Sequence, residues 1–133
     1  SRQFFFVVWE KMARGEALSP LEALIAEVIR AHPEYHVVLG QGERALERDF
    51  GAGDTNPFLH MGLHVALIEQ LQTDRPAGIT ALYKQLVSQA SHDVHGLEHR
   101  IMEQLAGALW AASQRGGMPD EQDYLARLSA LLR

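Results

Sequence analysis

Apolar residues along this chain recur at helical spacing, and no segment shows the apolar–polar alternation of a half-buried strand. Residues 2–14 read as a first helix, halted by Gly15, a residue suited to the left-handed cap conformation. "SPLE" (19–22) supplies a serine N-cap, a proline at the first helical position and a glutamate three residues after the cap. That capping box predicts a helix through about Ala31. Pro33 ends it and opens a short turn of helix over 33–39, closed by Gly40. A further short helix is expected within "GERALERDF", followed by the loop "GAGDTNP" (51–57).

Asn56-Pro57 opens a helix to about Gln72, "TDRPAG" (73–78) turns the chain, and a helix over about 79–89 follows. Ser91 or Asp93 caps a long helix to about Gln114, stopped by "RGG". "MPDEQ" starts a last amphipathic helix with Tyr124, Leu125, Leu128, Leu131 and Leu132 on its inner face. The fold expected is all-α: one compact domain over residues 1–133, a bundle of about five long helices plus short helical turns. Trp110 and the Leu105/Leu109 pair are expected in the core. The run "FFFVVW" (4–9) covers more than one helical face, so it is expected in the core, with a homodimer contact as the minority reading.

Composition narrows the function. The 133 residues are 47% hydrophobic and 22% charged, as in ordinary globular proteins. A net charge of −5 without a Lys/Arg run speaks against nucleic acid or an anionic membrane as partner. "FFFVVW" is too short for a membrane span or a signal segment. With no cysteine there is no disulfide, thiolate metal site or cysteine nucleophile, which fits a reducing cytoplasm. "GQG" and "GAG" follow no strand, so a phosphate-binding loop is not expected.

The histidines carry the candidate chemistry. All seven lie in "HPEYH" (32–36), "LHMGLH" (59–64) and "HDVHGLEH" (92–99). His60 and His64 are spaced i, i+4, as are His95 and His99, so each pair projects from one side of its helix. Two imidazoles at that spacing can bind one metal ion, and two such helices side by side would offer four nitrogens to one point. Residues 57–71 are apolar almost all round, so His60 and His64 are expected to be buried and to need partners, whether a metal or hydrogen bonds. His92, His95 and His99 share a face of the long helix with Glu103, and Glu98 follows His95. Either carboxylate could ligate a metal or fix a histidine tautomer. His32, His36, Glu98 and Glu103 are therefore auxiliary candidates beside His60, His64, His95 and His99. Nitrogen and oxygen donors without sulfur suit zinc, iron, manganese, nickel or copper.

The stretches "FFFVVWEKMARGEALSPLE", "HPEYH", "NPFLHMGLH", "TDRPAGI", "HGLEHRIMEQL" and "GGMPDEQDYL" occur in order along nearly the whole chain. Together they resemble a bacterial family described as a domain of unknown function, number 1841 in its series. The resemblance implies a cytoplasmic bacterial protein and a histidine pattern matching His32, His36, His60, His64, His95 and His99, without His92. It brings no activity. In architecture alone, paired histidines on bundle helices are similar to those of hemerythrin-like and DinB-like metal proteins. The leading expectation is a helical bundle binding one or two divalent metal ions, with metal-assisted hydrolysis or redox chemistry open and the substrate unspecified. The alternative is a non-catalytic interaction module whose buried histidines form a hydrogen-bond network. Haem ligation by two histidines is a third reading, without a C-x-x-C-H attachment motif.

Overall fold

The computed structural model describes residues 2–50 and 56–133, and all regular structure among them is helical. The helices are α1 (Arg2–Arg14), α2 (Pro20–Ala31), α3 (His36–Gly40), α4 (Glu43–Glu47), α5 (Pro57–Thr73), α6 (Ile79–Gln89), α7 (Val94–Arg115) and α8 (Glu121–Ser129). A 3-10 turn at Pro33–Tyr35 precedes α3. The fold is all-α, as the spacing predicts. Residues 51–55 of the expected loop lie outside the described residues.

Local signals explain where the helices begin and end. Ser19 Oγ accepts from the Glu22 N–H while the Glu22 carboxylate accepts from the Ser19 N–H, so α2 starts on the capping box. Asn56 accepts from the backbone N–H groups of Phe58 and Leu59 at the start of α5. Asp93 caps α7 through the Gly96 N–H, which decides between the two caps expected there. Asp120 caps α8 through the N–H groups of Gln122 and Asp123. Gly116, at φ 73°, ends α7 in the left-handed conformation that a side chain would strain.

Two compact units divide the chain, Ser1–Val65 and Ala66–Arg133. In the N-terminal unit α1 packs on α2 and α3. Phe5, Phe6 and Val8 are buried, as are Leu24, Ile25, Val28 and Ile29 of α2, and the Phe58 ring lies 6.1 and 5.7 Å from those of Phe5 and Phe6. Each such aromatic or aliphatic side chain contributes about 1.5–3 kcal/mol when fully buried. Phe4 and Val7 stay exposed, so the apolar run is divided between core and surface. In the C-terminal unit α7 packs on α6 and α8, and α6 on α8. Leu97, Ile101, Leu105 and Ala108 of α7 are buried with Tyr124 and Leu128 of α8.

Three expectations need correction. Trp110 and Leu109 are surface residues, 66% and 42% exposed, because they lie to the side of the stripe through Leu105, Ala108 and Ala112 that faces the core. The helix over 57–71 is buried along Phe58, Met61, His64 and Leu67, whereas Leu59 is 59% exposed, so it is not enclosed all round. The last helix ends at Ser129, leaving Leu131 and Leu132 half-buried in the turn beyond it.

Candidate metal centre

Proline builds the first part of the site. Pro33 cannot continue α2, so His32 leaves the helix at φ −125°, ψ 64°, with its backbone N–H still bonded to the Ile29 carbonyl at 3.1 Å. The imidazole of His32 is buried, 1% exposed, and α5 supplies its neighbours. The His60 ring stands edge-on to it at 4.8 Å and the His64 ring at 5.3 Å, centroid to centroid. The i, i+4 spacing on α5 is what brings both rings to His32. His32 and His60 each offer a nitrogen, the two within 4.8 Å of each other. His32 Nε2 and His64 Nδ1 are 3.0 Å apart.

A hydrogen bond between two neutral imidazoles needs one N–H and one lone pair. The Glu34 carboxylate, 3.6 Å from His32 Nδ1, favours a proton on that nitrogen. With that tautomer His32 Nε2 is the acceptor and His64 Nδ1–H the donor; with the other the roles reverse. Two imidazole nitrogens on one ion at about 2.0–2.1 Å would themselves lie about 3.0 Å apart in adjacent octahedral positions, or about 3.4 Å apart in tetrahedral ones. The spacing of His32 and His64 thus suits a shared ligand set as well as a shared proton. Among the described residues no buried side-chain nitrogen or oxygen lacks a hydrogen-bond partner, so the arrangement is satisfied by protons alone.

Tyr35 is a neighbour that sequence reasoning missed. Its ring stacks on His32 at 5.4 Å and meets His60 at 5.8 Å. Burial, helped by the Glu34 charge, raises its phenol pKa above the usual value, so it stays a neutral hydroxyl. The only signal in the sequence was its place between the two histidines of "HPEYH". His36 turns elsewhere: its Nε2–H donates to the Ile29 carbonyl at 2.8 Å and its ring lies 4.9 Å from Trp9.

The C-terminal unit carries the other candidates on α7. The rings of His95 and His99 lie 4.2 Å apart at an interplanar angle of 57°, as one-turn neighbours. His95 is exposed and His99 half-buried. Glu98 accepts a 2.6 Å hydrogen bond from the Tyr83 hydroxyl, and burial together with that bond drives the Tyr83 pKa well up. Glu103 and His92 are exposed.

No helix among the described residues is long and apolar enough to cross a membrane. Neither a curated protein nor a solved structure matches the chain. A family model does match, over residues 1–130, and that span takes in every candidate ligand named above. The chain therefore belongs to the family described as Domain of unknown function (DUF1841).

Proposed function

We propose that this chain binds one or two divalent first-row metal ions through imidazole ligands. His32, His60 and His64 are the proposed ligands of the N-terminal unit, and His95 and His99 those of the C-terminal unit. His36, Glu98 and Glu103 are auxiliary donors or orienting partners. The observation that carries the reading is the packing of two imidazoles, His60 and His64, against buried His32, with nitrogens 3.0 Å apart for His32 and His64 and within 4.8 Å for His32 and His60. Histidine nitrogens without thiolates suit zinc, iron, manganese, nickel or copper. Where a coordination position stays open to water, such an ion supplies metal-assisted hydrolysis or redox chemistry. A cytoplasmic bacterial setting belongs to the same proposal.

Elemental analysis of tag-free protein tests it. Bound metal in near-stoichiometric amount, lost in His60→Ala, is the expected result. Metal-free protein that also takes up none of the five ions on titration would overturn it. One observation favours a second reading, a structural hydrogen-bond network in a non-catalytic interaction module: the 3.0 Å contact between His32 and His64 is itself a good hydrogen bond. On that reading His64→Ala destabilises the protein but metal has no effect on wild type.

A further inference from the structure

The C-terminal unit holds a cavity of about 300 Å³ between α7, the turn that follows it and the loop after α5. Its volume is at the lower end of the range for small-molecule sites. Leu105, Ala108, Leu109 and Met118 give it an apolar wall. Two devices fix the turn beside it: the left-handed Gly116, and the Arg115 guanidinium, which donates to the Met118 carbonyl at 3.0 Å.

The polar part of the lining combines two hydrogen-bond donors, Gln70 and Arg75, with Tyr124 and two acids. The Tyr124 hydroxyl donates to Gln70 Oε1 at 2.7 Å, which leaves the Gln70 amide N–H₂ as a donor. Arg75 borders the cavity, and among the described residues no hydrogen bond or ion pair engages its guanidinium. Of the two acids in the lining, Asp120 Oδ1 is occupied by the N–H groups of Gln122 and Asp123 at 2.9 and 3.1 Å. Glu121 is exposed, in the first turn of α8. An uncommitted guanidinium attracts an anion, while a carboxylate nearby penalises a second negative charge.

We propose that this cavity binds a small amphipathic monocarboxylate, its apolar body against α7 and its carboxylate on Arg75 and the Gln70 amide. The metal reading above is not needed for this proposal. The test titrates octanoate into the full chain and follows the Met118 methyl and Tyr124 ring signals by NMR, with octan-1-ol, octylammonium and octyl phosphate as comparison probes. Saturable octanoate binding centred on those signals is expected, stronger than for any comparison probe. Arg75→Gln changes only an exposed side chain and should weaken octanoate about tenfold or more, the loss of a charge-assisted bond, while leaving octan-1-ol unaffected. Leu109→Trp, at a half-exposed site, should fill the cavity and abolish binding of both. No saturable binding, equal affinity for Arg75→Gln, or tighter binding of octylammonium or octyl phosphate would overturn the proposal. So would a dimer by light scattering whose contact covers Met118 and persists at saturating octanoate.

Discussion

The two histidine groups of this chain differ in how the fold makes them. His95 and His99 are one turn apart on a single helix, and their 4.2 Å ring contact follows from i, i+4 spacing alone. His32, His60 and His64 meet only because Pro33 ends α2 and α5 packs beside that end, bringing together residues up to 32 positions apart. The first group is local and partly solvated; the second is non-local, and His32 and His64 are buried. Of the α7 pair His95 is exposed and His99 half-buried. A trio with two buried members couples its chemistry to the stability of the fold.

The sharpest way to break this contrast is to delete one ring from each group. His32→Ala leaves a void and removes the 3.0 Å contact with His64, so it should cost about 2–4 kcal/mol in denaturant unfolding. His95→Ala, at an exposed position, should change stability by no more than about 0.5 kcal/mol. Equal costs would show that the two groups are energetically alike.

A smaller effect is expected from Tyr83. Tyr83→Phe removes the 2.6 Å bond to Glu98, a loss of about 0.5–1.5 kcal/mol, and should leave metal binding by the N-terminal trio untouched. Tyr83 also sets a pH dependence. Its folded pKa lies above the unfolded value of about 10, so its contribution to stability is complete below pH about 10 and is lost as pH rises through the folded value. Ultraviolet titration should show late phenol ionisation in wild type. In Glu98→Gln one phenol should titrate earlier, since a raising cause has gone. An unchanged titration would remove Glu98 as a cause.

The smallest effect concerns Glu34. It is 3.6 Å from His32 Nδ1 and exposed, so Glu34→Gln should cost well under 1 kcal/mol of stability. If the carboxylate fixes the His32 tautomer, the same change should weaken metal affinity about tenfold or more. Unchanged affinity, measured by calorimetry, would reduce Glu34 to a surface residue.

The helices and the histidine pairs were legible in the sequence for the same physical reason: their signals are local. Gly15, the Ser19–Glu22 box, Asn56-Pro57, Asp93 and Gly116 each act on the backbone within a turn, so the chain announces its own helix ends. Spacing likewise announced His60 with His64 and His95 with His99. The role of His32 was not legible, because a residue before proline at a helix end is ordinarily solvated and its burial depends on what packs there. Trp110 misled in the opposite sense. Aromatic bulk suggested core, but which side of α7 faces its neighbours is set by the stripe through Leu105, Ala108 and Ala112, and Trp110 is off it.

The central claim, that the trio around His32 binds a metal ion, is tested most directly by the melting temperature of tag-free protein with and without chelator. Metal bound only to the folded state adds about 2.7 kcal/mol at a hundredfold excess over Kd. Protons compete for imidazoles that titrate near pH 6.5 when unperturbed, so the chelator effect should fade in acid. The account predicts a fall of several degrees on chelation at about pH 7.5, a much smaller fall at about pH 5.5, and almost none in His64→Ala. A wild-type melting temperature indifferent to chelator and to added zinc, iron, manganese, nickel and copper would contradict it.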